Sequence, residues 1–180
     1  MSAAASALLS LTAAEAEARI GDLAAIIHAC VHDGASIGFV LPFSPDEAEA
    51  FWRGKVAASV RSGGAEMLVA RAGAAIVGVV LLDHDTPPNQ PHRAEVRKLL
   101  VHPRLRRRGI ARALMAALEA RARSLGRSLL TLDTRTGDCA EPLYASLGYE
   151  TTGIIPGYCL DALDTSRRDS TTIMYKMLRP

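Results

Sequence analysis

Apolar residues recur along this chain with two periods, and the points where the period changes mark its elements. Ala16, Ile20, Leu23, Ala24 and Ile27 form one stripe at helical spacing. Thr12 and Glu15 stand just ahead of it as a capping box: the hydroxyl accepts from the residue-15 amide and the carboxylate reaches back. Asp33-Gly34 ends this helix, and residues 8–11 precede it as a short strand. A second helix opens at Ser44-Pro45, where Glu47 completes another capping box, and Gly63-Gly64 stops it. Strands follow at about residues 67–71 and 75–84, joined by a tight turn at Ala72-Gly73. Pro87-Pro88-Asn89 is a loop, and a further strand runs over about residues 93–102. Ile110, Leu114, Ala117, Leu118 and Leu125 give an amphipathic helix from about Gly109, closed by Gly126. Residues 129–133 read as a buried strand, 141–147 as a short helix closed by Gly148, and 171–178 as a last strand. The order β-α-α-β-β-β-α-β-α-β-β predicts a mixed α/β sheet in one domain over residues 1–180, with about residues 1–6 mobile.

Alternation fails at one place. Val96, Leu99 and Val101 cannot share a face in a flat strand, because successive side chains point to opposite sides. One extra residue near Arg97-Lys98, a β-bulge, realigns them.

Composition narrows the function classes. With 49% hydrophobic and 22% charged residues, the 180-residue chain can build a sizeable core. A net charge of +2, from 21 Lys+Arg against 19 Asp+Glu, gives no bulk attraction to nucleic acid or membrane. Cys30, Cys139 and Cys159 are odd in number and far apart, which argues against a disulfide framework or a zinc site and suits a reducing cytoplasm. The first residues lack the basic and apolar regions of a signal peptide, and no apolar run approaches the ~20 residues of a membrane span.

The densest chemistry lies in residues 101–111, Val-His-Pro-Arg-Leu-Arg-Arg-Arg-Gly-Ile-Ala. An apolar strand ends at Pro103, an arginine-rich loop follows, and a helix begins near Gly109. A helix start offers unpartnered amides and the positive end of the macrodipole to phosphate oxygens. Gly109 and Ala111 leave the backbone approachable, and the arginines add charge. Neither a Walker loop nor a dinucleotide fingerprint is present. Arg106, Gly109 and Ala111 resemble the Arg/Gln-x-x-Gly-x-Gly/Ala motif of the GNAT acetyltransferase superfamily.

That resemblance implies a mixed, mostly antiparallel sheet of about six to seven strands, splayed at a central bulged strand and flanked by about four helices. It implies acetyl-CoA as cosubstrate, with no metal. The diphosphate would lie at Arg106, Arg107, Arg108, Gly109, Ile110, Ala111 and Arg112, and the pantetheine arm along Leu99, Leu100 and Val101.

Amide formation from a thioester requires a neutral amine, an acceptor for its proton and a donor for the departing thiolate. A CoA thiol titrates near ~8.5 by analogy with cysteine, so a tyrosine near ~10 can serve as that donor. Tyr144 lies in Glu141-Pro-Leu-Tyr-Ala-Ser-Leu-Gly-Tyr149, a phrase in which the superfamily commonly places such a tyrosine. Glu95 and Asp133 supply carboxylates for the amine; salt bridges to Arg93, Arg97 or Arg135 are the structural alternative. His28 and His32 have metal-binding spacing, but Ala29 stands where H-E-x-x-H needs Glu and no third ligand is suggested. Ser36 lacks a nucleophile-elbow setting.

Five phrases, beginning at His32, Arg93, Leu130, Ala140 and Ile155, resemble the tabtoxin-resistance acetyltransferase family in the same order along the chain. This implies Asp133 and Tyr144 as the catalytic pair, with Glu95 beside them. It implies an acceptor pocket of Ser36, Phe39, Glu95, Asp133 and Tyr158, walled by residues 34–39 and a turn at Pro156-Gly157-Tyr158. The acceptor would be a small-molecule amine, such as an amino-acid-like toxin or antibiotic, and the enzyme a monomer or homodimer. Two positions depart from the superfamily pattern: Arg107 where glycine is usual, and Ala111 where a last glycine often stands. Between Phe39 and Met67 little similarity is visible. An idle acyl-CoA binder would need neither Tyr144 nor Asp133. A nucleic-acid binder would want stacking aromatics, which make up 4% of the chain. An N-terminal protein or peptide acetyltransferase remains the nearest enzyme alternative.

Overall fold

The computed structural model describes residues 7–178, so the expectation for residues 1–6 lies outside the described residues. Seven strands form one sheet in the order β1-β2-β3-β4-β5-β7-β6. They are β1 (Ala7–Leu11), β2 (Ala65–Ala72), β3 (Ala75–Asp83), β4 (Arg93–Val101), β5 (Leu129–Arg135), β6 (Glu150–Leu160) and β7 (Arg168–Met177). Every pairing is antiparallel except β4 with β5.

The helices are α1 (Ala13–Ala18), α2 (Ile20–His32), α3 (Pro45–Phe51), α4 (Ala57–Arg61), α5 (Ile110–Ser124) and α6 (Ala140–Ser146). A π-helical turn, Trp52–Val56, joins α3 to α4. Both capping boxes form, at Thr12/Glu15 and Ser44/Glu47. The first helix is not continuous as the stripe suggests. It breaks at Arg19, whose guanidinium bonds Asp22 and the Ala74 carbonyl in the β2–β3 turn. That partner is 55 residues away and leaves no local trace.

Both faces of the central sheet are covered, which is why β2 and β3 read as nearly unbroken apolar runs. Met67, Val69, Val79 and Leu81 pack with Leu23, Ile27 and Trp52 on one side. Leu68, Ala70, Val80 and Leu82 pack with Leu114, Met115 and Leu118 of α5 on the other. The indole of Trp52, fully buried, donates to the Leu23 carbonyl at 2.9 Å.

The β4 irregularity is a bulge at Lys98–Leu99. Val79 pairs with Leu100 and Leu81 with Arg97, so two residues of β4 oppose Val80 alone. Ala94 and Val96, then Leu99 and Val101, thereby meet the α5-side core, while Leu100 joins the other. Lys98 takes a φ of 53° to make this turn. β4 pairs with β5 only over Arg93, Ala94 and Glu95 against Leu129, Leu130 and Thr131. Beyond those three pairs the strands separate.

Residues 156–158, expected as a turn, are a second bulge inside the continuous strand β6. Ile155 pairs with Thr171 and Cys159 with Asp169, and Gly157 at φ 61° absorbs the extra length. β6 is the sheet edge, nearly all exposed, and carries Ile154, Ile155 and Tyr158 in the open.

Gly78 fixes how closely α5 approaches the sheet. A Cβ there would lie 3.1 Å from Ile110 Cγ2, Leu114 Cδ1 and the Leu100 carbonyl oxygen. Two of those atoms belong to the start of α5 and one to the bulged strand. Gly78→Ala is therefore expected to destabilise by about 1–3 kcal/mol through overpacking, measured by urea unfolding. An unchanged midpoint would mean α5 is free to lift from the sheet.

Candidate active site

The separation of β4 from β5 opens a cleft of about 930 Å³. Residues 95–101 of β4 form one wall and 133–135 of β5 the other. Strand backbone past Glu95 has no β5 partner, leaving an edge free to pair with an extended ligand. At one end lies the start of α5. Gly109 is its N-cap at φ 80°, without a side-chain cap, and the first internal bond runs from the Ala113 amide to the Gly109 carbonyl. The preceding amides are therefore available to an anion. A Cβ on Gly109 would meet nothing within 4 Å, so the space above this backbone is open.

The arginines of this loop differ in their engagement. Arg106 Nη1 bonds Asp33 Oδ2 at 2.5 Å, at the end of α2, and Arg106 Nη2 lies 3.9 Å from Cys30 Sγ. Burial holds the Cys30 thiol above its usual pKa. Arg107 sits at φ 61°, a left-handed conformation that favours glycine. The motif's usual glycine at this position thus has a backbone reason. Arg107 and Arg112 line the cleft, whereas Arg108 is exposed and does not. Leu100, Val101 and Ile110 line the cleft but are buried in the cores.

Helix α6, joined to the start of α5 by Arg112 on Ser146 at 2.7 Å, delivers Tyr144, which lines the cleft and packs edge-on against Tyr149 at 5.7 Å. Burial first, then the charges of Asp133 and Asp138, push the Tyr144 phenol well above its ordinary value. Asp133 is exposed on β5, and its Oδ2 shares the proton of the buried Thr171 hydroxyl, at 3.2 Å, with the Thr134 carbonyl at 3.0 Å. Glu95 is half-buried where the β4–β5 ladder ends.

Among the described residues neither carboxylate takes the arginine partners considered above. Arg93 bonds Gln90 and Thr131, Arg97 bonds Asp83 at 2.6 Å, and Arg135 bonds Asp138 and Asp169.

The loop over residues 34–41 covers another side of the cleft and brings Ser36 and Phe39 to it. It is pinned by Arg135 Nη1 to the Gly34 carbonyl at 3.0 Å, by Ser36 Oγ to Cys159 Sγ at 3.3 Å and by the Leu41 amide to the Ala162 carbonyl at 2.9 Å. Lys98 Nζ adds a fourth bond, 2.8 Å to the Ile37 carbonyl. Phe39 packs tilted against Phe43 at 4.5 Å and meets Phe51 edge-on, and Tyr158 projects from the β6 bulge, 54% exposed. His28 and His32 stack at 4.1 Å, with His32 Nε2 on the Phe43 carbonyl. That gives the pair a packing role. Among the described residues no three potential ligands gather as a metal site, and no helix is long and apolar enough to cross a membrane.

Sequence reasoning missed Lys98, Arg135 and Thr171. Lys98 carried a visible signal, because it stands at the break in alternation. Arg135 and Thr171 act on partners 101 and 38 residues away, beyond any local pattern.

A family model described as "Acetyltransferase (GNAT) domain" matches residues 40–155. Similar solved structures include an N-acetyltransferase from Staphylococcus aureus Mu50, at TM-score 0.79 and 15% identity, covering 97% of this chain and 99% of that one. A ribosomal-protein-alanine N-acetyltransferase from Brucella melitensis superposes at TM-score 0.77 with 23% identity, covering 96% and 99%. A phosphinothricin acetyltransferase from Sinorhizobium meliloti, in complex with AcCoA, does so at 0.77 and 19%, covering 97% and 89%. These likenesses extend over nearly the whole chain and show the same fold. With the family match spanning both walls of the cleft and the start of α5, the chain belongs to the GNAT acetyltransferase family.

Proposed function

We propose that the protein transfers an acetyl group from acetyl-CoA to a primary amine of a small molecule by direct attack. The observation that carries this is the arrangement of one cleft. Helix-start amides and an unpaired strand edge line it, together with a buried tyrosine and two carboxylates that make no ion pair among the described residues. The open space over Gly109 and the free β4 edge fit a diphosphate followed by an extended arm.

Acetyl-CoA supplies an acyl thioester. Asp133, held by Thr171, orients the amine and takes or relays its proton, with Glu95 beside it. The amine nitrogen bonds to the acyl carbon as the carbon–sulfur bond breaks. Tyr144 donates its proton to the sulfur and is reprotonated through solvent. Its raised pKa keeps that proton in place at neutral and mildly alkaline pH. The phrases shared with the tabtoxin-resistance family support an amino-acid-like toxin or antibiotic as acceptor. A phosphinothricin acetyltransferase among the similar structures agrees with that class. The free cysteines Cys30, Cys139 and Cys159 support a reducing cytoplasm as the compartment of the reaction.

Tyr144→Phe keeps the packed ring and removes the hydroxyl. It is expected to lower kcat by about 10²–10⁴-fold while leaving acetyl-CoA affinity near wild type. Full turnover would take Tyr144 out of the mechanism. Because both burial and neighbouring carboxylates favour the neutral phenol, the wild-type kcat profile should show no tyrosine limb at or below the ordinary pKa of 10.0. A descending limb there that disappears in Tyr144→Phe would contradict the burial.

Gly109→Ala places a methyl in the open space and asks an L-residue to hold a positive φ. Acetyl-CoA should bind about tenfold more weakly, ~1.4 kcal/mol by calorimetry. Arg108→Ala, outside the cleft, should change affinity less than about threefold. Unchanged binding in folded Gly109→Ala would move the diphosphate elsewhere.

A further inference from the structure

Three cations line the acceptor end of the cleft: Arg97, Lys98 and Arg135. Arg97 is paired with Asp83, and Arg135 with Asp138 and Asp169. Among the described residues Lys98 has no ion pair. Its ammonium gives one proton to the Ile37 carbonyl and lies over the rings of Phe39 and Phe51, 6.0 and 5.6 Å from their centroids. The Cβ position of Gly38 is 3.7 Å from the same nitrogen. The charge therefore rests on the loop that closes the acceptor side, across from Asp133 and Glu95.

A half-buried lysine without a counter-charge is costly, and a strut to a carbonyl does not need one. The loop already has three other anchors, at Gly34, Ser36 and Leu41. The charge also stands on a residue bent to φ 53° by the bulge, so the backbone irregularity that opens the cleft also presents it. Burial, and Arg97 beside it, lower the lysine pKa, while Asp133 and Glu95 raise it without reaching ion-pair distance. An added anion would relieve this balance.

We propose that Lys98 is the specificity-determining residue of the acceptor pocket, forming an anion subsite that selects amines carrying a negatively charged group. This rests on the acetyl-transfer reading and deepens it. With the amine held at Asp133 and Glu95, the acceptor's anionic group meets the Lys98 ammonium, and a second cationic group in the acceptor is repelled.

The test uses pairs of acceptors matched in all but the carboxylate: the primary-amine amino acids and their primary carboxamides, each assayed with acetyl-CoA. Amide formation alters the amine's own pKa, so the quantity compared is the acid-to-amide ratio of kcat/KM in wild type over that in each variant. Lys98→Met keeps the stem across the rings and Lys98→Arg keeps the charge. That quotient should reach at least ten in Lys98→Met and stay below three in Lys98→Arg, with the acetyl-CoA KM unchanged. Equal losses for acid and amide would make Lys98 a strut and overturn the proposal, as would a wild type indifferent to the charge.

Calorimetry with the N-acetylated amino acids and their amides, on protein saturated with CoA, reads the subsite without turnover. Tighter binding of the acids, abolished in Lys98→Met, supports the subsite even where no acceptor is turned over, and in that case the acetyl-transfer reading fails alone. Equal binding of acids and amides by the wild type overturns the subsite. Should Lys98→Met not fold, Lys98→Gln takes its place in both measurements.

Discussion

The parallel pairing of β4 with β5 lasts for three residues and then stops, where the bulge at Lys98–Leu99 turns β4 aside. A parallel sheet that continued would satisfy its own backbone groups and leave no room between strands. Here the ladder ends inside the sheet, so one strand edge and a cleft appear in the middle of the fold rather than at its margin. The helix that follows β4 starts at this opening, and the strand that follows it ends there. The start of α5, the free edge of β4 and the end of β5 therefore share one cavity because one register is interrupted.

Charge within that cavity is distributed unevenly. Most arginines are committed to structural pairs, such as Arg106 with Asp33 and Arg135 with Asp138 and Asp169. Among the described residues, the charged lining groups without an ion pair are Asp133, Glu95 and Lys98, near Tyr144 or the loop over residues 34–41, and Arg107 and Arg112 at the start of α5. Ion pairs in this protein thus hold the walls, and unpaired charges face the space between them. Buried groups next to uncommitted charges are where protonation is tuned, and the Tyr144 phenol shows it, shifted by burial and by Asp133.

Legibility in the sequence followed the range of the interaction. Capping boxes at Thr12 and Ser44, the stripe of α5 and the broken alternation of β4 all rest on neighbours within a few residues, and all appear as read. The break at Arg19 depends on the Ala74 carbonyl, and the orientation of Asp133 on Thr171; neither has a local signature. Pro156-Gly157-Tyr158 has turn composition, yet the chain runs straight on as a bulged strand, because β7 supplies pairing on both sides of the interruption. Arg108 belongs to the motif by spacing but does not line the cleft, since the left-handed Arg107 redirects the chain between them. Lys98 was visible as an anomaly and was read for its backbone alone.

The β6 bulge carries a consequence for how the molecule survives in concentrated solution. An exposed edge with isoleucines and a tyrosine is a template on which another chain could add a strand. Pro156 has no amide to offer such a visitor, and Gly157 throws the repeat out of phase, so no long stretch of the rim can be matched. The segment that brings Tyr158 to the cleft is therefore also the one that breaks the repeat of the exposed edge, and a change of length at residues 156–158 alters both at once.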